Sequence, residues 1–505
     1  MSVRSAGRPG RSRHPSGIYL IFTTEIWERF SYFGMRGLLV LFLTAATEDG
    51  GFGWDGSSAL QLYALYTGLV YLAPVLGGYL GDRILGRRRA VVTGCALMTA
   101  GHFTMALPAA IPWILGWLGG YPLPMILERV GVPLGHAWDA AYQGAAYRAA
   151  VSGLGLATPP EGLLVAAYLG TSLSFYAALA LIIAGTGFFK SNMATMVGEL
   201  YQPDDSRRDA GYTIYYTGAN IGAFAANIVA GTIGEAWGWH YGFSVAGLGM
   251  AAGLWLFLRL APRHLKDVGE RPRAPGLRPA PLAGSEVRRV LGILLMSSFT
   301  ILFWMGFEQG GGLLNLMIRE SVDRSAFGGE VPATWFQSLN PLFLMLLAPL
   351  FVAFWGYAED RGLRLHPTRK YAFGLLLMGL SFLVLLGAQG EIARTGHCSP
   401  WWVVAVFAIQ TVGELAMSPV SKSLVSRYAP ARIASPLMGA EFACYACGAW
   451  LAGMLGARAF AVGPEQTFMG ISAVCLAAAL VCLCLRRTVD RLLGEAPQPA
   501  ATCSA

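Results

Sequence analysis

The first residues able to do chemistry are Glu25, Glu28, Arg29, Tyr32 and Arg36, which sit inside a hydrophobic run long enough to cross a bilayer as a helix. On a helix they share one stripe. Lipid would oppose each charge by roughly 3 kcal/mol, so the stripe must face protein or water. Charges that only snorkel to a membrane surface would cluster at a helix end, whereas these run for nearly three turns. Later apolar segments hold single ionisable residues: Lys190, then Glu308 beside Gly310-Gly311-Gly312, then Glu414 ahead of Ser418-Pro419. Lys190 lies deep enough to require an acid. An intramembrane carboxyl next to a flexible backbone can take up or release a proton as a cation approaches or leaves it. The chemistry in prospect is proton exchange and switching of ion pairs, with no covalent step.

The elements that hold these groups must be membrane helices. Of the 505 residues 55% are hydrophobic and only 13% charged, a composition for an integral membrane protein. The net charge of +8 comes from short basic clusters between apolar runs. The positive-inside rule accounts for these and argues against a nucleic-acid partner. Residues 1–15 are basic and Ser/Gly-rich and are followed by a full-length span, so no cleavable signal is expected and both termini should be cytoplasmic. The eight cysteines are scattered. The Cys444-x-x-Cys447 spacing is ordinary helix packing, and no zinc or redox role is expected. No metalloprotease, hydrolase or nucleotide-loop motif is present, so neither an enzyme nor a cofactor is expected. His102 reads as structural.

Hydropathy and charge breaks predict an all-α polytopic protein of twelve transmembrane helices in two six-helix bundles. The boundaries expected are a cytoplasmic tail 1–16, an N-terminal bundle 17–260, a cytoplasmic linker 261–286, a C-terminal bundle 287–485 and a cytoplasmic tail 486–505. The linker is Pro-rich and basic. Residues 108–167 form an outward insertion whose prolines and paired glycines suit a folded or interfacial cap, a membrane hairpin being the alternative. This plan resembles the major facilitator superfamily, in which substrate binds at mid-membrane between rocking halves. Gly77-Gly78-Tyr79-Leu80-Gly81-Asp82-Arg83 through Arg87-Arg88-Arg89 is similar to the loop motif of that superfamily. Taken alone, Asp82 and Arg83 serve equally as a helix cap and a topology signal.

Six motifs in register resemble the proton-dependent oligopeptide transporter family. They are Glu25-xx-Glu28-Arg29-Phe30-Ser31-Tyr32, Gly185-Thr186-Gly187-xx-Lys190, Tyr215-Tyr216-xxx-Asn220, Phe303-Trp304-xx-Phe307-Glu308-Gln309, Gln337-xx-Asn340-Pro341 and Gly413-Glu414-xxx-Ser418-Pro419. The resemblance implies that Glu25, Glu28 and Arg29 belong to a proton-coupling network, with Arg29 also near a peptide carboxylate. It implies inter-bundle salt bridges Arg36 to Glu308 and Lys190 to Glu414. Asn220 and Asn340 would hydrogen-bond the peptide, Tyr32 and Tyr66 would line the cavity, and Glu414 would receive the peptide amino terminus. Read from the residues alone, Asn220 could equally be a helix–helix hydrogen bond.

Three positions depart from the family pattern. Phe33 stands where a second tyrosine is usual, Lys422 where an apolar residue is usual, and Glu441 where a cavity tryptophan is usual. Lys422 and Glu441 are expected to neutralise each other across adjacent helices. The alternative is that Glu441 contacts a cationic substrate. The resulting expectation is a proton-coupled importer of di- and tripeptides in the inner membrane. Its partners are small peptides, protons and the bilayer, and the only coupling agent is H+. Protonation of Glu308 would weaken its hold on Arg36 and favour opening to the cytoplasm. The rivals are a carrier of an amino acid, nitrate or peptide-like metabolite, and a membrane sensor that does not transport. The sequence carries no signal for oligomeric state.

Overall fold

A computed structural model describes residues 14–46, 49–120, 161–202, 205, 207–270, 282–326, 328–361, 366–430 and 433–494. Among the described residues, the seven helices before the linker are α1 (Ser16–Thr44), α2 (Gly56–Leu80), α3 (Arg87–Thr104), α4 (Leu107–Gly119), α5 (Glu161–Glu199), α6 (Arg208–Trp237) and α7 (Trp239–His264). After it come α8 (Gly284–Phe307), α9 (Leu313–Ser321), α10 (Leu339–Asp360), α11 (Pro367–Thr395), α12 (Pro400–Tyr428), α13 (Ala434–Val462), α14 (Pro464–Cys484) and the short α15 (Arg486–Leu493). A two-stranded hairpin, β1 (Ser325–Ala326) with β2 (Gly329–Glu330), is the only sheet among the described residues.

Nine of these helices are long and apolar enough to span a membrane. The other three long ones, α1, α3 and α6, are richer in polar and charged side chains. Their apolar surface alone would not hold them in lipid, so they depend on neighbours. Helix α1 packs against α6 and α7, and α3 against α5 and α7. In α6, Gly218 and Gly222 bring the backbone against Phe22 and Ile26 of α1, which is the use expected of a small-xxx-small spacing. The second group is built on α8 with α13, and on α11 with α12 and α14. The two groups meet along α2 with α13 and where α6 meets α10.

The structure departs from the expected spans in three places. The predicted seventh span is broken: after Phe307 the chain makes a 3-10 turn, Glu308–Gly311, and Gly312 takes φ −108°, ψ −109° before α9 begins. That backbone lies outside the helical and extended basins open to larger residues. The predicted eighth span likewise starts with a 3-10 turn, Ala333–Ser338. At the insertion, α4 is a helix of 13 residues that packs on α5 and α7. It is shorter than the about 20 residues needed to cross. It stops at Gly120, in the left-handed region at φ 73°. Residues 121–160 of the insertion lie outside the described residues, as do 1–13, 271–281 and 495–505 of the tails and linker.

Helix starts follow local chemistry. Asp55 caps α2 by accepting from the Ser58 amide at 2.9 Å, and Ser399 accepts from the Trp401 amide ahead of α12, whose first residue is Pro400. At one end of the bundle the loop motif forms an ion cluster. Arg87 lies 2.6 Å from Asp82 and also pairs with Glu199, while Arg88 meets Glu270 at 3.0 Å. The Asn192 side chain donates to the Gly77 carbonyl at 3.1 Å, tying α5 to α2. This arginine-rich end is the basic end of the bundle.

Candidate functional site

A cavity of about 1970 Å³ runs between the two helix groups, from Arg36 and Gly311 at mid-height to Asp82, Arg83, Glu199 and Arg208 at the basic end. Its lining includes Glu25, Arg29, Phe33, Lys190, Asn220, Asn340, Glu414 and Lys422. Sequence-distant groups therefore share one wet chamber, contributed by both halves of the chain.

The closed head of the chamber is a charged knot. Arg36 Nη2 of α1 lies 2.5 Å from Glu308 Oε2 at the break after α8, and its Nε donates to the Tyr63 hydroxyl at 2.8 Å. Tyr71 donates to the other Glu308 oxygen at 3.1 Å. Arg36 and Glu308 are both buried, at 7% and 1% exposure, where an unpaired charge would be costly. Gly311 makes the approach possible: a Cβ there would run into the Tyr63 hydroxyl and the Arg36 guanidinium. Past the knot, away from the basic end, the two groups are knitted together. Asn315 donates to the Gly37 carbonyl at 3.0 Å and Arg319 to the Leu41 carbonyl at 2.9 Å. Glu235 of α6 accepts from the amides of Ala333 and Thr334, both at 2.9 Å, and from the Thr334 hydroxyl at 2.6 Å. The chamber is therefore open at the basic end and shut at the other.

Two turns below the knot, Arg29 is held by Glu25 at 2.7 Å and Glu28 at 3.2 Å. Both carboxylates are fully buried, but only Glu25 borders the cavity, and Tyr215 lies beside it. Asn220 donates to the Tyr216 carbonyl of its own helix at 2.9 Å and borders the cavity, so it is not a bond between helices. The Asn340 amide is shared between Thr411 and Glu414, at 3.1 Å each.

Several expectations are corrected. In this open state Lys190 is not paired with Glu414. Its ammonium lies 4.6 Å from the Tyr71 ring centre and 5.8 Å from that of Tyr32, and the cavity separates it from the acid. The physical reason is the open state: at this level the two groups stand apart. Tyr32 and Tyr66 do not line the cavity; both are buried at 1% exposure behind it. Tyr63 and Tyr71 of α2 are the tyrosines that touch charges, and their place beside Tyr66 on one aromatic helix was the signal available in the sequence. Lys422 and Glu441 form no ion pair. Glu441, 2% exposed, turns from the cavity toward α8, where Ser297 donates at 2.5 Å and Thr300 at 3.4 Å. Nor does Glu441 reach a substrate position, since Phe442 and Tyr445 line the wall on its side. Lys422 faces the cavity, 5.9 Å from the Tyr216 ring centre. The Arg36–Glu308 pair is made while the chamber is open at the basic end.

Membrane-spanning helices arranged around a chamber that is open at one end, with titratable groups bridging the halves at its closed end, define a membrane carrier. A sequence model described as the POT family matches residues 88–273 and 282–467, and the chain belongs to that family. It is 28% identical to a peptide transporter, YePEPT, of Yersinia enterocolitica, over 95% of this chain and 96% of that one. It is also 28% identical to a di-/tripeptide transporter of Lactococcus lactis subsp. cremoris, over 95% and 97% of the two chains. An uncharacterized transporter of Bacillus subtilis, YclF, is 28% identical over 93% and 92%. Among solved structures, a peptide transporter POT in complex with alafosfalin superposes with a TM-score of 0.77 at 29% identity, covering 96% and 97% of the chains.

Proposed function

We propose that this protein is a proton-coupled symporter that imports di- and tripeptides by alternating access, with H+ as the only coupling agent. The observation that carries the reading is the buried Arg36–Glu308 pair between the two helix groups, set at the closed head of a chamber shared by both. The relatives named as peptide transporters supply the substrate class. Taking the basic end as cytoplasmic by the positive-inside rule, the N- and C-termini are cytoplasmic, the protein sits in the inner membrane and the state described is open inward. The bundles would then be 17–260 and 287–485, joined by the linker 261–286, with tails 1–16 and 486–505.

Lys190 is offered to the peptide carboxylate, with Arg29 and Arg36 joining it only when their own ion pairs open, Glu414 to its amino terminus, and Asn220 and Asn340 to its backbone. These partners suit a zwitterion whose two ends are opposite in charge. A proton on Glu308 cancels its attraction for Arg36, and this loosens the closed, outward end. Proton return with Glu25 and Glu28 tunes release. When the inward end shuts, Lys190 and Glu414 approach each other and complete the cycle. Each proton that enters gains about 2.3 kcal/mol per 100 mV of membrane potential, enough to drive a neutral peptide uphill.

Uptake in proteoliposomes under an acid-outside gradient tests this reading. The native protein accumulates labelled Ala-Ala, while Glu308→Gln exchanges it without accumulation. Failure of the native protein to accumulate any dipeptide removes the peptide assignment. Accumulation by Glu308→Gln equal to native removes the proton role of Glu308. Competition by amino acids or nitrate separates the rival carriers, and absence of all flux favours a sensor.

A further inference from the structure

The charges facing the chamber do not balance for a plain zwitterion. Arg29 is occupied by Glu25 and Glu28, and Arg36 by Glu308. What remains at the level of the chamber is Glu414, hydrogen-bonded to the neutral Asn340 and within electrostatic reach of Lys422, and two lysines. Lys190 comes from α5 and Lys422 from α12, on opposite walls. Neither ammonium holds a carboxylate among the described residues, and each is backed instead by a tyrosine face, Tyr71 at 4.6 Å and Tyr216 at 5.9 Å. An aromatic face stabilises an ammonium without using its donors, so all three N–H groups of each lysine stay available. Toward the mouth, Arg83, Arg208 and Lys370 border the cavity together with Asp82 and Glu199.

We propose that Lys422 is a specificity residue that selects peptides carrying a second carboxylate, those with an Asp or Glu side chain. A neutral dipeptide matches Glu414 with its amino terminus and Lys190 with its terminal carboxylate, leaving Lys422 without a partner. An acidic dipeptide matches all three groups. Eight residues separate Glu414 from Lys422 on α12, about 12 Å along the helix, so the amino terminus and the side-chain carboxylate of one extended dipeptide can reach both. This inference rests on the peptide reading given above and narrows it.

Inhibition of labelled Ala-Ala uptake by unlabelled Ala-Glu, Ala-Gln and Ala-Lys at pH 7 is the test. In the native protein Ala-Glu inhibits at a concentration about tenfold below Ala-Gln, the effect of one charge-assisted hydrogen bond, and Ala-Lys is weaker still. Lys422→Gln brings the Ala-Glu to Ala-Gln ratio close to one, and Lys422→Arg restores the preference. A native Ala-Glu to Ala-Gln ratio of one or more, or a ratio unchanged in Lys422→Gln, overturns the proposal while leaving peptide transport in place. Absence of Ala-Ala uptake in the native vesicles removes the peptide reading itself, and this inference with it. Should Lys422→Gln fail to fold, the thermal shift of the purified native protein decides. A larger rise in Tm with Ala-Glu than with Ala-Gln supports the proposal, and equal rises overturn it.

Discussion

Arg36 and Glu308, 272 residues apart in the chain, meet at 2.5 Å and join the two helix groups. Both are buried, so the pair is worth most when judged by what its loss leaves behind. Replacing only Glu308 by Ala strands a guanidinium, at a cost of about 3–5 kcal/mol. Replacing both Arg36 and Glu308 by Gln removes the charges together, so the double variant is expected to melt above the Glu308→Ala single variant. A detergent-solubilised melting series checks this. A double variant that melts lower than both single variants would show that the two side chains do not act as a unit.

Two adjacent glycines at the broken helix are expected to respond differently to the same substitution. A Cβ on Gly311 collides with Tyr63 and Arg36, whereas one on Gly310 meets only Phe407, at 3.5 Å, an ordinary contact. Gly311→Ala should therefore cut initial peptide uptake by about tenfold, which corresponds to about 1.4 kcal/mol of displaced knot. Gly310→Ala should stay within about twofold of native by the same measure. Equal losses in the two variants would argue against steric control at Gly311.

Glu441 belongs to the packing between α8 and α13, where Ser297 donates to it. Glu441→Gln keeps an acceptor for Ser297 and lies off the cavity, so it should leave competition by cationic dipeptides unaltered. Its Tm should fall by no more than a few degrees. A selective loss of Ala-Lys competition in uptake assays would return Glu441 to the binding site.

The cap at Asp55 carries a pH dependence of its own. Slight burial would raise its carboxyl, but the hydrogen bonds from Ser58 and its neighbours hold it below the usual range. A lowered folded-state value contributes stability above the unfolded value and loses it as the pH falls through the folded one. Asp55→Ala should therefore cost about 1 kcal/mol at pH 7, and the gap should narrow as the pH falls below the ordinary carboxylate range. Melting curves of both proteins across that range provide the comparison.

Much of the helical plan was legible because burial in lipid demands long apolar runs, and few sequences supply these by accident. The nine hydropathic spans follow from that. The charged residues of α1 were equally legible, since a stripe of five polar positions at helical spacing has nowhere to go but inward. Azimuth was less so. Lys422 and Glu441 stand at similar depth on adjacent helices, yet one faces water and the other faces α8. Depth follows from counting residues along a helix. Direction depends on which neighbour the helix packs against.

Residue types and order alone determined that this is a helical membrane protein with ionisable groups gathered from both halves, because lipid rejects an isolated charge wherever it occurs. Tertiary structure decided which of those groups touch. Arg36 reaches Glu308 because three glycines break α8 at that level, while Lys190 is held from Glu414 by a chamber open at the basic end. The same two lysines could face acids or face water on an identical sequence. Only the relative position of the two helix groups chooses between these, and that position is set by packing summed over many contacts rather than by any one residue.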